Sequence, residues 1–208
     1  MNPKFYSLPK EKQQKIISAG FRVFSQNSYK KSPMQEIADS AGISKSLLFH
    51  YFQNKKELYL FLWERACVIT MEYLSKHGCY EPTDLFEMME RGMRAKVEMM
   101  RRYPSIAAFT IKAFYERDEQ ISKEIQKSYR KYFGMKAQDA LMRVNPDDFI
   151  PGLEIGRMYR EMYLASEGYL WEIFQGGGIL DAEKLEKDFS EMLVFWKSIY
   201  LRKGEAEK

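Results

Sequence analysis

The sequence predicts an all-α protein of about nine helices. Three observations carry this. Apolar residues recur at a spacing of three to four in nearly every segment, the helical period rather than the alternation of a strand. Proline and glycine fall mostly between those segments, at Pro82, Pro104, Pro146, Pro151 and Gly176–Gly178, where they punctuate rather than interrupt. The chain has no strand–helix–strand rhythm, internal repeat or low-complexity tract. Its 208 residues, 45% hydrophobic and 30% charged, are enough to bury a sizeable core.

In chain order the helices are expected at 9–27, 33–40, 44–50, 54–77, 84–102, 104–115, 118–143, 152–175 and 181–202. The first contains Ile16, Ala19, Val23 and Phe24. The second opens on Ser32-Pro33-Met34-Gln35, a capping box in which Ser32 accepts from the backbone of Gln35 and Pro33 sits at the first helical position. Ser44 caps the third, just after Gly42, where the chain must turn sharply and positive φ carries no Cβ penalty. Asn54-Lys55-Lys56-Glu57 repeats the capping logic for the fourth. Cys67, inside that apolar helix, reads as a small buried hydrophobe. The helices from 84 to 175 are rich in methionine and aromatic residues. Asp181 caps the last helix after a glycine hinge.

Charge separates the ends of the chain. Residues 1–62 hold ten Lys/Arg against four acids, whereas the remainder holds 23 against 25. A basic head on a slightly acidic body is the electrostatic signature of a polyanion-binding end. Two cysteines, Cys67 and Cys79, are too few for a disulfide scaffold. Two histidines, His50 and His77, leave little for a metal site; His77-Gly78-Cys79 lacks a second ligand pair. No Ser/His/acid grouping is present, and the triple glycine lacks the following Lys-Ser/Thr of a phosphate loop. No catalytic residue, metal or cofactor is therefore expected. The first fourteen residues lack the apolar core of a secretory signal. Leu58–Trp63, the longest apolar run, is too short to span a bilayer. A cytoplasmic protein with reduced thiols and no membrane association is the expectation.

Helix 33–40, the turn at Gly42 and helix 44–50 form a helix-turn-helix candidate. Ile37, Ala38, Ala41, Ile43 and Leu48 supply its small core. The outward side of the second helix then carries Ser44, Lys45, Ser46, Leu47, Phe49 and His50, groups suited to base edges and thymine methyls. Lys55 and Lys56 begin the next helix beside an exposed N-terminus, a phosphate clamp that positions without reading sequence. The competing reading is a plain helical hairpin with solvated lysines; the spacing, the caps and the local charge together favour nucleic acid.

Residues from about 13 to 61 resemble the N-terminal domain of the tetracycline-repressor (TetR) family of bacterial transcriptional regulators. The matching residues are Ile16-x-x-Ala19-x-x-x-Val23-Phe24, Tyr29-x-x-Ser32-x-x-x-Glu36-Ile37-Ala38, Ala41-Gly42-Ile43-Ser44, and Leu48-Phe49-His50-Tyr51-Phe52-x-x-Lys55-x-x-Leu58. The resemblance implies that Ser32 touches phosphate, that Ser44, Lys45, Ser46 and Leu47 face the major groove, and that Phe49 and His50 lie against its wall. It also implies that Tyr51 donates to a phosphate and that Lys55 is the clamp; Tyr51 as simple core packing is the alternative. Two positions depart from the family pattern. Ser46 stands where glycine is common, and Asn27-Ser28 precede Tyr29 where a glycine is common, a turn that asparagine's tolerance of left-handed geometry should preserve.

The resemblance further implies a small-effector pocket in the body, for which Met89, Met93, Phe109, Phe114, Phe133, Met158, Met162 and Trp171 are the candidate lining. Methionine suits an adaptable apolar pocket, although such a stripe is most often core. The effector is expected to be apolar or aromatic. Glu116, Glu154, Glu161 and Glu167 are possible counter-ions, or surface acids. In helix 181–202 the apolar stripe is too wide for a solitary surface helix. Tyr159, Tyr163, Phe189, Met192, Phe195, Trp196 and Ile199 are expected to pair across a two-fold axis as a four-helix bundle, with Gly156 and Gly168 permitting close approach.

The reading is a homodimeric transcriptional regulator, a repressor rather than an activator. Residues 1–53 form a helix-turn-helix DNA-binding domain, and residues 54–208 bind effector and dimerise, with helix 54–77 connecting the two. Its partners are a palindromic double-stranded DNA operator, a second copy and a small molecule. The alternative is a helical small-molecule-binding protein or enzyme that docks by its basic end; a DNA-binding protein without an effector pocket is a third reading.

Overall fold

Helix boundaries follow the capping chemistry closely. The computed structural model describes residues 3–175 and 181–202; Gly176–Gly178, the expected hinge, lies outside the described residues. The helices are α1 (Pro3–Tyr6), α2 (Lys10–Gln26), α3 (Met34–Ala41), α4 (Lys45–Tyr51), α5 (Lys55–Lys76), α6 (Leu85–Arg102), α7 (Pro104–Tyr115), α8 (Ser122–Tyr129), α9 (Met135–Leu141), α10 (Ile155–Gln175) and α11 (Ala182–Tyr200). A π-helical turn, Arg130–Gly134, joins α8 to α9, and a 3-10 turn, Pro146–Asp148, follows α9. No strand occurs among the described residues; the nearest approach is one isolated antiparallel bridge, Phe149 to Leu201. The all-α expectation holds. None of the described helices is long and apolar enough to cross a membrane.

Side-chain caps start α4, α5 and α11. Ser44 Oγ accepts from Leu47 N at 3.1 Å, and Asp181 Oδ1 accepts from Glu183 N and Lys184 N at 2.8 and 3.0 Å. Asn54 Oδ1 accepts from Glu57 N at 2.9 Å, and Glu57 reaches back to Gln53 N at 2.7 Å, one residue earlier than a standard capping box. The Ser32 box is not formed. Ser32 Oγ instead donates to the Ser28 carbonyl at 2.9 Å, and Gln35 spends its amide on Asp39 at 2.7 Å. Pro33 stands at the cap position with extended backbone, so α3 begins one residue later than expected.

Two other elements differ from expectation. Helix α1 was not foreseen: Pro3-Lys4-Phe5-Tyr6 is too short to show a period. Its Phe5 is fully buried, and Gln13 donates to the Tyr6 and Leu8 carbonyls at 3.1 and 2.8 Å, tying the segment to α2. The single helix expected over 118–143 is divided. Asp118 forms a turn, accepting Gln120 N on its side chain at 2.9 Å and Ser122 N on its carbonyl at 2.9 Å, so α8 starts only at Ser122. Further along, Ser128 and Tyr132 both donate to the Glu64 carboxylate, at 2.5 and 2.6 Å, where the α-helix widens into the π turn.

The chain packs as two units. The first comprises the described residues up to Ile69 together with Arg102–Tyr132. Phe109 of α7 inserts among Phe21, Phe24 and Tyr59, with ring centroids 5.3, 6.2 and 4.9 Å away. Gly20 of α2 faces Leu62 of α5 so closely that a Cβ there would come within 2.6 Å of the Leu62 Cδ1. Cys67 is fully buried, and burial pushes its thiol up to about 12, so it is inert packing. The second unit comprises Thr70–Arg101 and the described residues from Phe133 onward. Its core joins Leu85, Phe86 and Met88 of α6 to Met158 and Met162 of α10 and to Leu193 and Trp196 of α11. A smaller cluster of Leu74, Cys79 and Ala95 lies beside it. The packing boundary therefore falls within α5 and returns α7 and α8 to the first unit, rather than falling between residues 53 and 54. Phe109 is the physical reason: the core of the N-terminal helices is completed by an aromatic ring from α7.

Candidate nucleic-acid interface

The helix-turn-helix is built from small residues and one left-handed glycine. Ile37, Ala38 and Leu48 are fully buried, and Ala41 nearly so, which brings α3 and α4 together. Gly42 ends α3 at φ 71, ψ 32. Gly42 N and Ile43 N then donate to the Asp39 and Ala38 carbonyls at 3.1 and 3.0 Å, closing orphan groups at the helix end.

Burying Leu48 turns the opposite side of α4 outward. Ser44, Lys45, Ser46, Leu47, Phe49 and His50 are all exposed. Leu47 and Phe49, at 36% and 37% exposure, are the large apolar groups on this outward side. Ser44 Oγ lies 3.0 Å from Ser46 Oγ, so the residue standing at the family's glycine position adds a hydroxyl beside the cap.

The remaining expected contacts sit differently. Ser32 is buried, at 2% exposure, with its hydroxyl turned to Ser28. Tyr51 is also buried, its ring edge-on to Phe5 at 6.1 Å. Phe5 packs in turn on Phe52 and Phe61 at 5.0 and 5.4 Å, so α1 braces the C-terminal end of α4. Lys56 is half-buried. The Lys55 ammonium donates to the carbonyls of Lys30 and Ser32 at 3.0 and 3.3 Å and lies 4.8 Å over the Tyr29 ring. Burial holds its pKa below the usual lysine range, opposed by the charge of Asp118. Asn27 keeps the turn in extended backbone, with its N–H on the Val23 carbonyl; the left-handed geometry expected there does not occur, and no non-glycine residue among those described has positive φ.

Sequence reasoning missed the support beneath this loop. Glu116, just past α7, accepts Tyr29 N on Oε2 at 2.9 Å and the amides of Arg117 and Asp118 on Oε1 at 3.0 and 3.1 Å. It is a backbone clamp rather than the counter-ion considered for it. Asp118 lies 3.6 Å from Lys30 Nζ. Burial, and after it the charges of Asp118 and Glu116, raise the Tyr29 phenol above its ordinary value. The only sequence signal was Glu116-x-Asp118 placed between two helices.

The candidate effector residues do not share one packed group. Phe109 belongs to the core of the first unit, and Phe114 packs on Tyr115 and Tyr129 there. Met89, Met158 and Met162 belong to the main core of the second unit, and Phe133 to its smaller cluster. Met93 and Trp171 are half-buried. Among the acids, Glu161 pairs with Arg157 at 3.3 Å on the surface. On α11, Phe195 and Ile199 are exposed at 61% and 42%. Trp196 is turned inward, packed against Phe189 in its own core, and Tyr159, Tyr163, Phe189 and Met192 are half-buried. The helical period separates adjacent positions here: Trp196 points to one side and Phe195 to the other. Among the described residues no group of three or more His, Cys, Asp or Glu is placed to hold a metal ion.

Residues 16–61 match the family model described as bacterial regulatory proteins, tetR family. The transcriptional activator FasR of Mycolicibacterium smegmatis is 41% identical over 55 residues, 26% of this chain and 25% of that protein. The regulator RutR of Escherichia coli K12 is 30% identical over 93 residues, 45% of this chain and 43% of that protein. The chain thus matches a quarter to less than half the length of these curated relatives. Across the body the likeness is one of fold: SmeT, the repressor of the Stenotrophomonas maltophilia multidrug efflux pump SmeDEF, superimposes with a TM-score of 0.69 over 94% of each chain at 16% identity. The helix-turn-helix thus lies in a segment, residues 16–61, that matches the tetR family of bacterial regulatory proteins, and over the length of the chain the fold is the one SmeT has.

Proposed function

We propose that this chain is a homodimeric, sequence-specific DNA-binding transcriptional regulator of the cytoplasm, a repressor released by a small molecule. The observation that carries the reading is the exposed face of α4. Lys45, Ser46, Leu47, Phe49 and His50 stand outward on a helix whose inner side is fully anchored. A cation, a hydroxyl and apolar groups on one short helix match the donors, acceptors and thymine methyls of a major groove. The basic excess of residues 1–62 supplies affinity for the backbone. In this reading residues 1–53 are the DNA-binding domain and residues 54–208 the effector-binding and dimerisation domain.

Pairing is assigned to the outer sides of α10 and α11. Leu164, Val194, Phe195 and Ile199 are exposed there at 52%, 68%, 61% and 42%, a concentration of large apolar groups that a second copy would cover. Gly156 and Gly168 have no neighbour within 4 Å of where a Cβ would stand, which leaves room for the partner's approach. An effector in the body would favour a dimer whose two α4 helices no longer match successive major grooves, about 34 Å apart. FasR is named an activator and SmeT a repressor, so the sign of regulation is part of the proposal. Selection of bound sites from random duplex DNA tests it. Enrichment of a two-fold symmetric site supports the reading, and enrichment of no sequence rejects it.

A further inference from the structure

We propose that Lys30 is a further phosphate-contacting residue of the DNA interface, and that the Asp118 carboxylate is its internal competitor, holding Lys30 until phosphate displaces it. The inference rests on the DNA-binding reading of the first unit. Its basis is an asymmetry between the two partners. The Asp118 side chain is only 6% exposed, whereas that of Lys30 is 81% exposed, with Nζ and Oδ2 3.6 Å apart. Asp118 cannot follow the lysine. Its Oδ1 accepts Gln120 N at 2.9 Å, and its carbonyl accepts Ile121 N and Ser122 N at 3.1 and 2.9 Å. The acid is therefore a fixed part of the start of α8, and the cation is the part that moves.

The backbone under Lys30 is fixed as well. Glu116 holds Tyr29 N at 2.9 Å, and Lys55 bridges the carbonyls of Lys30 and Ser32. The Lys30 side chain thus swings from a clamped base beside the start of α3. An ion pair with one solvated partner at this distance is weak, while a duplex presents closely spaced phosphates whose bound counterions are released on contact. Phosphate should win the exchange, at the cost of breaking the Lys30–Asp118 pair. The pair then lowers affinity for every sequence alike, because phosphate contacts carry no sequence information.

The test measures Kd for labelled random and selected duplexes across a salt series. Wild type is compared with Asp118→Asn, Lys30→Ala, the double variant, and Glu119→Gln as a neighbouring exposed charge-loss control. Asparagine keeps the acceptor for Gln120 N; Asp118→Ser serves the same purpose should the first variant fold poorly by thermal melting. Asp118→Asn is expected to tighten all duplexes about three- to tenfold at about 0.1 M salt, with the salt slope unchanged. Lys30→Ala should lower that slope by about 0.9 per protomer, roughly 1.8 for a dimer on a two-fold site, and abolish the gain in the double variant. Glu119→Gln should change binding less than about twofold, as expected of a screened surface charge. A folded Asp118 variant that binds no tighter overturns the inference, as does a gain that survives Lys30→Ala or is matched by Glu119→Gln. Absence of salt-dependent duplex binding by wild type rejects the DNA-binding reading and this inference with it.

Discussion

At the scale of single residues, two lysines ten positions apart have opposite fates. Lys45 is exposed on α4, whereas Lys55 spends its ammonium on two carbonyls. Both read as free cations in the sequence, because nothing local announces that the Lys30 and Ser32 carbonyls converge on position 55. Lys45→Ala should cost about 1–3 kcal/mol of operator affinity and relax base preference at one position, provided that it reads a guanine. Binding measured on single-base operator variants checks this; a loss equal for all sequences would reassign Lys45 to the backbone. Lys55→Ala should lower stability by about 1–2 kcal/mol, the worth of its charged hydrogen bonds. An unchanged urea midpoint would show that these contacts contribute nothing. Gly42 supplies the third residue-scale expectation. At φ 71 an alanine should destabilise by about 1–2 kcal/mol, even though no atom lies in its way.

At the scale of elements, legibility followed the locality of the interactions. Helices α3, α4, α5 and α11 were readable because their caps or turn signals lie within a few residues: Gly42, Ser44, Asn54 and Asp181. The outward face of α4 followed once Leu48 was assigned to the core. What stayed hidden depends on distant partners. Phe5 meets Tyr51, Phe52 and Phe61, and no period in a four-residue helix reveals that. Ser32 looked like a cap but faces Ser28, and Phe109, a candidate for the pocket lining, packs in the core around Phe24 and Tyr59. Phe5→Ala should therefore cost about 3–5 kcal/mol and loosen the end of α4. Amide exchange would show this as lost protection at Tyr51 and Phe52; unchanged protection would make α1 a passive appendage.

At the scale of the whole molecule, the proposed pairing turns on which surface a second copy would cover. The alternation along α11 makes the answer testable. Phe195→Glu, on the exposed side, should give folded monomers in sedimentation velocity. Trp196→Glu, in the core, should instead unfold the second unit, since an unpaired charge would be buried there. A Phe195→Glu variant that remains dimeric would move the interface elsewhere. The charge division of the chain belongs to this scale too. A basic head suits the polyanion, and a nearly neutral body suits its own copy and a small ligand. The account stands most directly on one measurement, selection of sites from random duplex DNA followed by a salt titration of the winner. It predicts a two-fold symmetric site with half-sites one helical turn or a multiple apart, and affinity that falls steeply with salt. Retention of no sequence above background, or binding indifferent to salt, would contradict it.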